Sequence, residues 1–119
     1  MARTVLAVQP TVREGLAASY TTATVDGHAF SNAGRNVFLH VKNAGGVSTT
    51  VTIVTPGTVD GLAIPDRTVS IPAGADRFIG PFPKTYEQVD SLLDINEAVY
   101  VNAAPQASVS YAAIKLGSL

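Results

Sequence analysis

The feature that most constrains this chain is a period of two. In Val37-Phe38-Leu39-His40-Val41-Lys42-Asn43, the apolar residues Val37, Leu39 and Val41 fall on one face of an extended segment. Residues 47–54 alternate again, with Val47, Val51 and Ile53 on one side and Ser48, Thr50 and Thr52 on the other. Between these runs sits Asn43-Ala44-Gly45-Gly46, whose Gly and Asn tolerate positive φ and read as a hairpin connection. Arg67-Thr68-Val69-Ser70-Ile71 is a third strand, closed by Pro72-Ala73-Gly74, with residues 76–80 as the return strand. Two late strands, 98–102 and 108–116, are joined by Ala103-Ala104-Pro105-Gln106. Asp26-Gly27 and Asp60-Gly61 mark further turns, the first of them joining 21–24 to 27–30 as a short hairpin. Short strands at this spacing predict an all-β fold: an antiparallel β-sandwich or jelly-roll-like barrel of about seven or eight strands, with no helix beyond about three turns.

Two stretches depart from the alternation. Residues 1–20 start strand-like at 4–8, then meet Pro10 and a helix-tolerant segment at 13–20. They read either as an arm reaching onto a neighbour or as an edge strand followed by a loop, with residues 21–119 forming one β-sandwich domain. Under the arm reading, the candidate contacts to a neighbour are Arg3, Thr4, Val5, Leu6, Val8 and Arg13. Residues 84–97 carry Tyr86, Val89 and Leu93 at helical spacing, and read as a loop with one or two helical turns. Its acids, Glu87, Asp90, Asp94 and Glu97, read as a solvated face.

Charge excludes several classes of partner. The formal net charge is −1 and charged residues make up 14% of the chain, against about 25% in an average domain. The eight basic residues are scattered from Arg3 to Lys115 with acids between them, so nothing follows a phosphate backbone. Neither nucleic acid nor a membrane surface is an expected partner. Val5-Leu6-Ala7-Val8 is far shorter than the ~20 residues of a spanning helix and lacks the pattern of a secretory signal, so the chain reads as soluble with no export signal. A surface low in charge and rich in Ala, Val and Thr suits one covered by neighbours in an assembly, and equally suits a weakly charged monomer.

Catalytic and metal chemistry find little to use. The chain has no cysteine, which removes thiolate nucleophiles, disulfides and thiolate metal sites together. The only imidazoles are His28 and His40. His40 lies opposite Leu39 and Val41 on its strand, where a solvent-facing or interface role is ordinary, and His28 follows a turn with no serine motif beside it. No metal-ligand spacing occurs, and no cofactor is expected. Asp60 and Asp66 flank a loop where calcium could bind, but aspartates at turns mostly accept backbone N–H groups. The chain reads as a non-enzyme.

One run has a wider likeness. Residues 50–63, TVTIVTPGTVDGLA, followed by Asp66-Arg67-Thr68-Val69, Ile71-Pro72-Ala73-Gly74 and Ile79-Gly80-Pro81-Phe82-Pro83, resemble small tailed-phage head-structural proteins. The final stretch, 108–116, is similar to the last strand of that group, and the likeness covers roughly residues 35–83 plus this strand. The resemblance implies a capsid decoration, or cement, β-sandwich on the outside of the virion, made in the host cytoplasm. It implies the major capsid protein or further copies of the chain as partners, with a homo-oligomer on the particle and no catalytic or metal residues. A carbohydrate-binding module on the virion surface is an alternative, against which the absence of Trp counts. A tail or head–tail connector subunit is another, separable by copy number per particle.

Overall fold

In a computed structural model describing residues 3–116, the alternating segments become thirteen strands. They are β1 (Thr4–Val5), β2 (Val8–Pro10), β3 (Thr21–Thr22), β4 (His28–Ser31), β5 (Val37–Asn43), β6 (Thr49–Ile53) and β7 (Thr58–Val59). After these come β8 (Leu62–Ala63), β9 (Arg67–Ile71), β10 (Asp76–Ile79), β11 (Gln88–Asp90), β12 (Ile95–Ala104) and β13 (Val109–Lys115). Among the described residues, strands hold 49%, and no helix reaches seven residues. Single 3₁₀ turns occur at Ala33–Arg35 and Lys84–Tyr86. Residues 1, 2 and 117–119, at the ends of the expected arm and domain, lie outside the described residues.

The first sheet has the order β1-β4-β12-β6-β9, with β11 also pairing β12. The second runs β10-β5-β13-β2, with β3 also pairing β13. The strands β7 and β8 pair only with each other. Each main sheet presents its alternating apolar residues to a shared cluster. From the first come Phe30, Val51, Ile53, Ile71, Val99 and Val101; from the second come Val37, Leu39, Val41, Ile79, Val109 and Tyr111. Burying each such side chain contributes about 1.5–3 kcal/mol, and this burial pins the register, because a slip of one residue would turn a whole face outward.

Three expectations need correction. The sheets are mixed, not wholly antiparallel: β1 runs parallel to β4 and β2 parallel to β13. Neither pair is joined by a hairpin, so nothing in the connection imposes opposite directions. The segment 84–97, expected as a loop with one or two helical turns, has one 3₁₀ turn and then enters the first sheet as β11, with a turn into β12. Of its four acids, Asp94 is exposed as expected, while two are bonded within the fold. Glu87 bonds Asn32 (2.9 Å) and Arg35 (3.3 Å), and Asp90 accepts the Tyr100 hydroxyl (2.6 Å).

The third correction concerns connectivity. The expected hairpins at 43–46, 72–74 and 103–106 are crossings between the sheets: β5 to β6, β9 to β10, and β12 to β13. The turn at Asp26-Gly27 likewise leads from β3 in the second sheet to β4 in the first. Buried Asn43 explains how the first two crossings are held. Its amide nitrogen donates to the carbonyls of Val47 (2.8 Å), Ile71 (3.1 Å) and Pro72 (3.3 Å), and its amide oxygen accepts from Gly45 N (3.1 Å). Its backbone N–H donates to Ala75 O (2.9 Å). The third crossing is tied in nearby: Ala44 N donates to Ser108 O (2.9 Å), and the Thr49 hydroxyl to Pro105 O (2.6 Å).

The N-terminal segment also belongs to the sheets. Between β1 and β2 the chain steps from an edge of the first sheet to an edge of the second, and Leu6 at the step is 2% exposed within the shared core. Leu6 N donates to Ala29 O (2.8 Å), and Thr11 N to Lys115 O (2.9 Å). Pro10 closes β2 at the edge position where a missing N–H is tolerated. Of the two readings of residues 1–20, the edge strand followed by a loop describes residues 4–20.

Two substitutions test this account. Leu6→Ala should cost about 2–5 kcal/mol in urea unfolding, as deletion of a core leucine does; a loss below about 0.5 kcal/mol would mean that the N-terminal segment is dispensable to the core. Asn43→Ala and Asn43→Asp should both cost at least about 2 kcal/mol, because neither can donate to the buried carbonyls. Full stability of the aspartate variant would show that these donated bonds do not hold the crossings.

Candidate interaction surface

Because Val37, Leu39 and Val41 face inward, Phe38, His40 and Lys42 lie on the outer face of the second sheet. The β10 register sets Phe78 beside His40 and Asp76 beside Lys42. The imidazole of His40 stacks on the Phe78 ring at 4.1 Å between centroids, with the planes 10° apart. Its Nε2 is 2.6 Å from Asp76 Oδ2, and its Nδ1 is 2.6 Å from the Tyr20 hydroxyl. A carboxylate only accepts, so Nε2–H donates to Asp76, and in the neutral ring Nδ1 accepts from Tyr20. Lys42 Nζ sits 3.9 Å over the Tyr20 ring. These contacts leave His40 only 7% exposed while Phe78 remains 68% exposed.

The sequence placed His40 on this face as a solvent-facing or interface residue; the face is as expected, but Tyr20, Asp76 and Phe78, which were not foreseen, bury the ring. Asp76 and Phe78 could have been found, since they share the outward parity of β10 just as His40 has that of β5. Tyr20 carries no such signal. It arrives from the 11–19 loop, which Gln9 fastens through two bonds to the Ser19 backbone (2.8 and 2.9 Å).

The outer face of the first sheet carries a smaller cluster of Ala29, Ile95 and Ala98, with Leu93 and Tyr100 packed against it. Here Arg3 is held within the fold. Its guanidinium lies 4.2 Å over the Tyr100 ring and donates to Asn102 Oδ1 (2.6 Å). Gly27, at φ 80°, backs directly onto Asn102 Oδ1 and the Arg3 guanidinium, so a Cβ there would collide with both.

The six N-terminal candidates therefore separate. Leu6 is core and cannot meet a partner, Val8 is half-buried against the core, and Arg3 is already bonded. Thr4, Val5 and Arg13 are exposed, and the Arg13 side chain has no bond to the described residues.

Larger exposed apolar groups lie elsewhere. The β7–β8 hairpin turns at Asp60-Gly61, with φ of 54° and 77°, and carries Val59 and Leu62 at 65% and 73% exposure. Positive φ at both central residues is the geometry that Asp-Gly favours in a two-residue hairpin. Asp66 accepts Thr55 N (2.8 Å), the capping role expected of a turn aspartate. No group of three or more His, Cys, Asp or Glu side chains suited to a metal occurs among the described residues.

Titration of the polar groups follows from their contacts. The hydrogen bond from His40, aided by Lys42 and Arg77, holds the Asp76 carboxyl below its ordinary 3.8. The Tyr100 hydroxyl does the same for Asp90, and the same bond raises Tyr100. Burial lowers His28 from 6.5 and raises Tyr111, whose ring packs T-shaped on His28 at 5.2 Å. All three lowered groups take up protons in the unfolded chain before they do so in the folded one. Stability should thus decline from about pH 7 to 5 through His28, and again below about pH 4 through Asp76 and Asp90. Urea midpoints measured across this range check the order, and His28→Phe should flatten the first decline. An unchanged slope in that variant would remove His28 as its cause.

No family model matches this chain, and no curated protein or solved structure is significantly similar to it.

Proposed function

We propose that this chain is a bacteriophage virion structural protein, a capsid decoration (cement) protein with a jelly-roll-like β-sandwich fold. The sequence resemblance of residues 35–83 supports the reading, as does the passage of successive strands from one sheet to the other. The observation that carries it is the β7–β8 hairpin. It pairs with neither main sheet, and its strand residues are all exposed, Val59 and Leu62 among them. An apolar tip on a well-anchored stalk gains affinity by burial against a neighbour, at about 25 cal/mol per Å². Repetition over a symmetric lattice then multiplies modest contacts into firm attachment. The neighbour is the major capsid protein or another copy of the chain.

Co-sedimentation with assembled capsids, and copy number per particle, test the proposal directly. Hundreds of copies fit a decoration protein, and about six or twelve fit a connector. Val59→Asp with Leu62→Asp should weaken binding by more than about tenfold and leave the melting temperature unchanged, because neither side chain reaches the core. Binding should change less than about tenfold between 50 mM and 1 M NaCl, since apolar contacts are little screened. Loss of binding midway through the salt series would assign the contact to charged residues instead.

A further inference from the structure

Between β6 and β9 the chain leaves the first sheet, carries the projecting hairpin and returns. The base of this excursion, together with the segment around Pro83 to Tyr86, encloses a groove of about 510 Å³. That volume lies within the ~300–1,000 Å³ of small-ligand sites. A second groove of about 310 Å³ shares Arg67, Pro83 and Tyr86 with the first and lies beside it.

Many polar side chains that sit against the sheets are tied within the fold, as His40 is to Tyr20 and Asp76 and Tyr100 to Asp90, while His28 Nδ1, Gln88 Nε2 and the Tyr111 hydroxyl are buried without a partner away from the groove. In the groove, the side chains of Arg67, Thr68 and Thr85 have no hydrogen-bond or ion-pair partner among the described residues. Thr55 lines it as well; the residue is 8% exposed and its buried hydroxyl is unpartnered. An unpaired buried hydroxyl carries a desolvation cost that a bound group can relieve.

Charge selects among possible ligands. The only charged residues in the lining of the larger groove are Asp66 and Arg67, adjacent and of opposite sign. An anion drawn to Arg67 would face Asp66, and a cation drawn to Asp66 would face Arg67. A neutral ligand whose hydroxyls both donate and accept uses both groups, and the threonine hydroxyls besides. Tyr86, fixed by T-shaped packing on Phe82 at 5.9 Å, joins Pro65 and Pro83 as apolar walls suited to the C–H face of a sugar ring.

We infer that this groove is a binding site for a neutral saccharide, with Asp66 and Arg67 pairing to ring hydroxyls and Tyr86 packing against the ring. It does not depend on the capsid reading, since it uses different side chains from the hairpin tip.

The test is a ¹H–¹⁵N titration of the full chain with glucose, galactose, mannose and N-acetylglucosamine, and with maltose, lactose and chitobiose. Glutarate serves as a probe for an acidic side chain. At least one saccharide should bind with a dissociation constant in the range of about 0.1–10 mM, shifting amides at 55, 64–68 and 83–86. Arg67→Ala and Thr85→Ala should each weaken it by about tenfold or more, with the melting temperature held. Absence of any saccharide shift at about 50 mM would overturn the inference. So would shifts produced by glutarate alone, which would make the groove a socket for an acidic side chain of a protein partner.

Discussion

The architecture depends on the amide of Asn43. The two main sheets share one core cluster, and a chain that passes from one to the other must find partners for its backbone carbonyls at the crossing. Asn43 ends β5 at the place where two of these crossings meet, and one nitrogen serves carbonyls from both. A hydrophobic residue there would pack as well and leave Val47, Ile71 and Pro72 without that donor. An aspartate would place negative oxygens beside them. The core supplies most of the driving force, but it is non-directional and does not specify which strands are joined at the end. The hydrogen bonds of Asn43 are directional and do.

This division explains what could be read from the sequence. Alternation reports which residues share a face, because burial sets that face, and Val37, Leu39 and Val41 of β5 with Val51 and Ile53 of β6 were legible as inward, although Val47, placed with them, is exposed. It does not report which sheet a strand joins. A strand returning beside its predecessor and one crossing to the opposite sheet have the same alternating pattern and the same Gly- and Pro-rich connections. Asn43 read as a turn former on its tolerance of positive φ, whereas it acts as a buried donor. Residues 4–10 were ambiguous for a related reason: β1 and β2 are two and three residues long, too short for a period of two to register, and Leu6 between them is their largest contribution to the core.

The polar surface was less legible than the core. Asp90 and Glu87 seemed free acids because their partners, Tyr100 and the pair Asn32 and Arg35, are distant in sequence or in other elements. Arg3 seemed a natural contact for a neighbour and is instead stacked on Tyr100. With charged residues at 14% of the chain, a large share of them is committed to holding edge strands and loops in place. Little net charge is then left for recognition, which leaves apolar protrusions and hydroxyl-lined hollows as the surface features with binding capacity.

Both kinds of feature come from the excursion between β6 and β9, and its anchoring allows this. The two strands pair over five residues, Thr49 to Ile53 against Ile71 to Arg67, and the Asp66 carboxylate then closes the base by accepting Thr55 N. Everything between these clamps lies outside the register that the core enforces. Val59 and Leu62 can therefore stay exposed without loss to the fold, and Thr55 can keep its buried hydroxyl unpartnered beside the ladder. A change in the excursion alters the surface while the β6–β9 ladder holds. A change in the ladder would move both the tip and the groove together.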